Sequence, residues 1–128
     1  MKIYNILLLL ILSSCMTSKI VVNSGIKEIK FGTGGGFTGE VRTYKLTAAC
    51  KLFEKEKVLK KVESKKTMKL FIQAKELKEL NFNEPENIYS FIEIKTKLRT
   101  NRIVWNYRST TLDNKVIQLY NDLFKTTK

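Results

Sequence analysis

Short segments of the chain alternate apolar and polar residues, which is the pattern of half-buried β-strands. They cover residues 26–31, 41–48, 88–97 and 103–107. The largely polar segment 51–58 predicts one more strand at a sheet edge, or a continuation of the preceding strand. A turn at residues 99–101 joins the last two strands into a hairpin.

Two other segments carry apolar residues at a helical spacing. The first starts at Ser64 or Thr67, either of which suits a helix cap. The second starts at Thr110, where Asp113 completes the spacing of a capping box. The element order βββαββα predicts an α+β fold, in which an antiparallel sheet of four to five strands carries two helices on one face.

The first fifteen residues follow neither pattern. Lys2 precedes an uninterrupted apolar run over residues 6–12, which is typical of a secretory signal peptide. The run is too short for a spanning helix, which needs about 20 apolar residues. The segment LSSC at residues 12–15 resembles the bacterial lipobox, and this resemblance implies cleavage before Cys15 and a lipid on its sulfur. The alternatives are an ordinary signal peptide with a chance cysteine, or a buried N-terminal helix.

Cleavage at this point divides the chain into a signal peptide (1–14), a tether (15–24) and a single α+β domain (25–128). Lipid on Cys15 would attach the domain stably to a membrane. In lipoproteins of this type a residue other than aspartate after the cysteine, here Met16, implies sorting to the outer membrane. No acidic run follows, which favours the periplasmic face of the cell envelope.

The chain is strongly basic, with 24 Lys and Arg against 12 Asp and Glu and a formal net charge of +12. A basic surface attracts anionic envelope components, such as the phosphates of phospholipids or lipopolysaccharide. The lysines are spread along the chain, so an evenly solvated surface is the better explanation. Nucleic acid is not expected as a partner, because an exported protein does not meet it.

Cys50 is the second of two cysteines in the chain. Once Cys15 carries a lipid, no thiol is left for an intramolecular disulfide, so we expect Cys50 to be a small buried apolar residue. An interchain disulfide or a reactive thiol is the alternative.

Groups suited to catalysis are scarce. The chain has no histidine, which excludes Ser–His and Cys–His nucleophile pairs and most zinc sites. Its only aspartates are Asp113 and Asp122, and the glutamates mostly lie beside lysines. We therefore expect no enzyme activity, no metal and no cofactor, with a hydrolase that uses two facing glutamates as the alternative.

Residues 32–39 (GTGGGFTG) are rich in glycine and predict a loop between the first two strands. The segment also fits the glycine-rich loop of protein kinases, but the chain lacks the other kinase motifs. A hairpin needs one or two glycines, so the surplus predicts that the backbone closely approaches another part of the domain or a ligand. The candidate contacts are Gly34, Gly35, Gly36, Phe37 and Gly39. Phe37 either fills the core or is exposed to a partner.

Three of the four arginines, Arg99, Arg102 and Arg108, surround Trp105 in the last predicted strand. Arginine recognises planar carboxylate and phosphate groups, and tryptophan is enriched at binding surfaces. These four residues are the second set of candidate contacts. The alternative is a surface hairpin whose tryptophan belongs to the core.

The segment FGTGGGFTG at 31–39, together with a later tyrosine-containing strand and a tryptophan-containing strand before the last helix, resembles small exported lipoproteins of the Bacteroidetes type. The resemblance covers most of the mature chain and implies the cell envelope, but no activity. We expect a non-enzymatic lipoprotein that binds a protein or glycan partner at the membrane, with Phe37, Trp105 and the three arginines exposed on one side. The alternative is an inhibitor or immunity protein that blocks a toxin or hydrolase in the periplasm.

Overall fold

The computed structural model describes residues 17–128, and the expected signal peptide and lipidated Cys15 lie outside this range. Three helices and six strands follow one another in the described part of the chain. Their bounds are α1 Thr17–Ser24, β1 Ile26–Gly35, β2 Arg42–Thr47, β3 Lys51–Glu54, β4 Lys57–Lys61, α2 Ser64–Lys75, β5 Ile88–Thr96, β6 Thr100–Trp105 and α3 Asn114–Lys125.

The six strands form one antiparallel sheet in the order β4-β3-β2-β1-β5-β6. The long strand β1 is central and pairs with β2 on one side and β5 on the other. The α+β class expected from the sequence is therefore correct. The sheet has six strands rather than four or five, and the described residues form three helices rather than two.

The core lies between one face of the sheet and the helices. Neighbouring strands place fully buried residues opposite each other on this face, as in the pairs Ile29–Ile94 and Phe31–Ile92. Phe124 of α3 packs edge-on against Phe31, with 5.1 Å between the ring centroids. The helices therefore cover the face that carries Ile92 and Ile94, which the sequence pattern left open.

The segment 51–58, expected as one strand, begins a hairpin of two strands. Lys55 and Glu56 form its turn with φ angles of 48° and 67°. A two-residue turn with both φ values positive matches the right-handed twist of paired strands and is normally built from Asn-Gly or Asp-Gly. Because neither glycine nor asparagine is present here, the sequence contains no sign of this turn.

The last hairpin and the last helix differ from expectation at their boundaries. Strand β6 already begins at Thr100, so the connecting turn covers residues 97–99 rather than 99–101. Helix α3 begins at Asn114, and its cap is Asp113 rather than Thr110. The Asp113 carboxylate accepts a 2.9 Å hydrogen bond from the backbone N–H of Lys115, and this bond satisfies a donor of the first helical turn.

Residues 17–24, expected as part of a tether, form helix α1 instead. Ile20 has no exposed surface, and the Ser24 hydroxyl donates a 2.6 Å hydrogen bond to the Ile20 carbonyl. Lys75 at the end of α2 donates a 3.1 Å hydrogen bond to the carbonyl of Asn23. A helix of eight residues is unstable by itself, so contact with the domain explains why this polar segment is ordered. None of the helices in residues 17–128 is long and apolar enough to cross a bilayer.

Cys50 is buried, as expected, with 2% of its surface exposed. It does not carry a free thiol, however, because it is disulfide-bonded. The expectation that Cys50 takes no part in a disulfide is therefore wrong for this structure.

Candidate functional site

The glycine-rich segment is mostly strand rather than loop. Strand β1 continues through Gly35, so the connection to β2 covers only residues 36–41. A Cβ atom on Gly32 would lie 1.8 Å from the carbonyl oxygen of Arg42 in β2, and one on Gly35 would lie 1.8 Å from that of Asn87. The backbone of β1 thus approaches its neighbours too closely for any side chain at these two positions.

Gly34 makes room for an aromatic ring on the face of the sheet away from the helices. A Cβ atom here would lie 2.4 Å from the Tyr89 hydroxyl oxygen and 2.5 Å from its ring carbon Cζ. The ring of Phe91 lies next along β5, with 6.4 Å between the two centroids. Aromatic residues commonly cover strand glycines in this way. For Gly34 and Gly35, packing inside the domain therefore explains the glycine.

Phe37 is fully exposed at the tip of the 36–41 loop. Two further apolar residues at the same end of the sheet, Val41 and Ile88, are 45% and 60% exposed. The Cβ position of Gly36 lies 3.8 Å from Cγ1 of Ile88, so the loop passes directly beside this residue. We call Phe37, Val41 and Ile88 the Phe37 surface. Of the first set of candidates, Phe37, Gly36 and Gly39 lie in its loop.

Trp105 does not belong to a surface. It is 6% exposed and packs edge-on against Tyr120 of α3, with 5.0 Å between the ring centroids. Its neighbour on the same side of β6, Ile103, is fully buried opposite Ile92. The expectation that Trp105 is exposed is therefore wrong, and the alternative of a core tryptophan is correct.

The three arginines do not form a cluster. Arg99 lies in the β5–β6 turn and pairs with Glu79 at 3.1 Å, whereas Arg102 stands over the Phe91 ring at 4.3 Å. Arg108 follows β6 at the opposite end of the sheet from Arg99. Successive residues of a strand are about 3.3 Å apart. Because strand β6 lies between Arg99 and Arg108, it holds these two arginines apart. Arg108 follows the end of β6 that lies on the Phe37 side of the sheet, whereas Arg99 lies at the other end, so the three do not share one side with Phe37.

The open face of the sheet is crossed by ion pairs. Arg102 also pairs with Glu93 at 3.1 Å, and Lys95 pairs with Glu28 at 3.8 Å. With Arg102 above it, Phe91 is only 2% exposed although no helix covers this face. These charged groups pair with each other between neighbouring strands, and Arg102 covers the Phe91 ring.

Three ionisable groups have shifted pKa values, and each shift has a local cause. The hydrogen bond from Gln73 lowers the pKa of Asp122. Burial raises the pKa of Tyr120, whose hydroxyl donates a 3.1 Å hydrogen bond to the Gly32 carbonyl. The hydrogen bond and charge of Glu76 raise the pKa of Lys115. These contacts join α3 to α2 and the sheet, and none lies at the Phe37 surface. Within residues 17–128, no group of three or more His, Cys, Asp or Glu side chains could hold a metal.

At the opposite end of the sheet lies a surface that the sequence analysis did not single out. Leu98, in the turn between β5 and β6, is 93% exposed. It borders a cleft of about 420 Å³ whose lining includes Gly25, Lys78, Lys97 and Arg99. The available signal was an apolar residue between two basic ones, in a turn where polar residues are usual.

Comparison with protein-family models, with curated proteins and with solved structures finds no match to this chain.

Proposed function

We propose that this protein is a non-enzymatic lipoprotein of the cell envelope, anchored through Cys15, and that it binds a protein partner through the Phe37 surface. The observation that supports partner binding is the full exposure of Phe37 at a loop tip, while the other apolar residue of the glycine-rich segment, Phe31, is fully buried. A large apolar side chain held in water is unfavourable by about 2 kcal/mol relative to its buried state. Binding to a partner recovers that free energy.

The placement of the loop supports this role. Strand β1 begins directly after α1 and has ten residues, so at about 3.3 Å per residue it is about 30 Å long. The Phe37 surface lies beyond the far end of β1, and α1 joins β1 at the near end. Because α1 is about 12 Å long and Cys15 precedes it by two residues, a lipid on Cys15 would lie closer to the near end of β1 than Phe37 does.

The chemistry of the surface favours protein over glycan. Phe37, Val41 and Ile88 are all apolar, and only Phe37 offers an aromatic ring. Buried aromatic anchors surrounded by weaker apolar contacts are typical of protein–protein interfaces. Glycan sites combine aromatic rings with many polar groups, whereas Phe37, Val41 and Ile88 themselves contribute only apolar surface.

A periplasmic inhibitor or immunity protein is the second candidate. The observation that favours it is the shape of the loop, in which one aromatic side chain projects beyond the strand ends. A projecting residue of this kind can enter the concave active site of a hydrolase or toxin. The two candidates share the Phe37 surface and differ in whether the captured partner is an enzyme.

The anchor is tested by labelling cells with a radioactive fatty acid and comparing the wild type with Cys15→Ala. We expect label on the wild-type protein, none on the variant, and processing before residue 15 in the wild type alone. An unlabelled wild type overturns the anchor. Recovery of Cys15 in a disulfide with Cys50 does so as well, because a sulfur in a disulfide cannot also carry a thioether-linked lipid. The disulfide-bonded state of Cys50 makes this second measurement necessary.

The partner surface is tested by cross-linking in membranes and capture after solubilisation. Phe37→Ser should lose a protein that the wild type captures. Leu98→Ser is the matched control, because it removes an equally exposed apolar side chain from the opposite end of the sheet and should retain that protein. Loss in both variants, or in neither, contradicts the proposed surface.

A further inference from the structure

Basic residues collect at the end of the sheet where β1 begins. We call this the basic end, and it comprises the first residues of β1, β3 and β6, the last residues of β2, β4 and β5, and the turns that join them. The register places Lys51 opposite Lys61, and the Lys27 carbonyl accepts a 2.9 Å hydrogen bond from Ala48 in the β2–β3 turn. With the adjoining 78–79 segment, the basic end holds Lys27, Lys51, Lys61, Lys78, Lys97 and Arg99 against Glu63 and Glu79.

The end that carries the Phe37 surface has a different charge. Its basic residues are balanced by acidic ones, so positive charge does not accumulate there. It holds Arg42, Lys55, Lys57 and Arg108 together with Glu40, Glu54, Glu56, Glu84 and Glu86. The domain therefore has its net positive charge displaced towards one end, although the lysines are spread evenly along the sequence.

The basic end also presents an apolar residue. Leu98 is 93% exposed at the tip of the β5–β6 turn, between Lys97 and Arg99. Lys78 and Lys97 line the cleft of about 420 Å³ beside it. An exposed leucine flanked by basic side chains suits the boundary between lipid headgroups and acyl chains, where the leucine is buried and the cations meet phosphate.

Helix α1 joins the sheet at this end. Helix α1 leads directly into Gly25 and β1, and its eight residues are about 12 Å long. Ile20 packs α1 into the core, so α1 does not act as a free tether. Since α1 is about 12 Å long and only Met16 separates it from Cys15, a lipid on Cys15 would lie within about 20 Å of the basic end.

We propose that the basic end rests on anionic phospholipid headgroups, with Leu98 in the interface and headgroup phosphate near Lys78 and Lys97. This inference rests on the proposed lipid anchor, and it fixes how the anchored domain lies. Lysine and arginine near an anionic bilayer are each attracted to it within about one Debye length. In this orientation the Phe37 surface faces the periplasmic space, where a protein partner can reach it.

The test uses the processed chain from residue 15 with Cys15→Ser, so that headgroup binding is measured apart from acylation. The probes are vesicles of phosphatidylcholine alone and of phosphatidylcholine with an equal part of phosphatidylglycerol, and the measurement is co-sedimentation. We expect binding only to the vesicles that contain phosphatidylglycerol. Lys78→Glu with Lys97→Glu should weaken that binding by more than about 30-fold, because the loss of two cations alone accounts for roughly that factor, and added salt should weaken it further.

The matched control is Lys55→Glu with Lys57→Glu, which changes the net charge equally at the opposite end and should bind nearly as the wild type does. Equal weakening by the two double variants means that total charge alone drives binding, and it overturns the inference. Absence of binding to phosphatidylglycerol vesicles by a folded protein overturns it as well, and thermal unfolding of each variant verifies the fold. A fatty-acid label on the wild type with no headgroup binding leaves the anchor intact and refutes only the orientation.

Discussion

Replacing Gly35 with alanine tests whether the glycine-rich segment serves packing or a ligand. Gly35 has a φ of +83° and lies opposite Ile88 in the β1–β5 pair. An alanine Cβ would lie 1.8 Å from the carbonyl oxygen of Asn87. That oxygen already accepts a 2.6 Å hydrogen bond from the backbone N–H of Gly36. The substitution must therefore displace backbone on both sides of the contact.

The loss of stability follows from two contributions. A left-handed conformation is unfavourable by about 1–2 kcal/mol for a residue with a Cβ atom. The displaced Asn87 carbonyl loses a hydrogen bond that contributes about 1 kcal/mol, so Gly35→Ala should lower the free energy of unfolding by about 2–3 kcal/mol. Gly39 supplies the control, because its φ is +67° but nothing lies within 4 Å of its Cβ position. Gly39→Ala should therefore lose only the conformational contribution.

Urea unfolding followed by the fluorescence of the single tryptophan measures both variants. With a slope of about 1–2 kcal/mol per molar urea, the midpoints of the two variants should differ by roughly 0.5–1 M. Equal midpoints would refute the packing explanation of Gly35. If Gly35→Ala unfolds like the wild type but no longer captures the partner, the glycine serves a ligand instead.

Three further predictions concern stability, and urea unfolding followed by circular dichroism measures each. Trp105→Ala should lower the free energy of unfolding by about 3–5 kcal/mol, since it empties a core position. An unchanged free energy of unfolding would contradict the core placement of Trp105. Lys55→Asn with Glu56→Gly should raise it by about 1–2 kcal/mol, because these residues suit the left-handed turn; a decrease contradicts the turn. The hydrogen bond from Gln73 lowers the pKa of Asp122 in the folded state. The ionised Asp122 therefore stabilises the fold above about pH 4, and this stabilisation is lost as the pH falls through the folded pKa. Asp122→Asn should therefore lose less stability than the wild type below pH 4, and parallel pH profiles contradict this reasoning.

The fold class could be predicted because local periodicity reports burial. The alternation around Ile92 and Ile94, and the helical stripe that includes Leu119, each arise from one face packed on the core. The β3–β4 turn could not be predicted, since Lys55 and Glu56 adopt a conformation that their residue types disfavour. The pairing of β3 with β4 on either side of the turn imposes that conformation. Helix α1 was missed for a similar reason, because Ile20 alone contributes a fully buried side chain from a mainly polar segment.

The candidate site was predicted less well because residue type does not determine the face or the end of a strand at which a residue lies. Phe37 and Trp105 looked equally suited to binding, but Trp105 alternates in register with Ile103 and so belongs to the core. Burial explains Trp105, whereas no internal contact explains the exposure of Phe37.

The charge of the domain illustrates the same limit. In an antiparallel sheet built from hairpins, every second turn returns the chain to the same end. Lys97 is far in sequence from Lys51 and Lys61, but all three lie at one end of the sheet, because each borders a connection on that side. Even spacing along the chain is therefore compatible with strong asymmetry in space. The strand order therefore determines the end of the domain at which the basic residues lie.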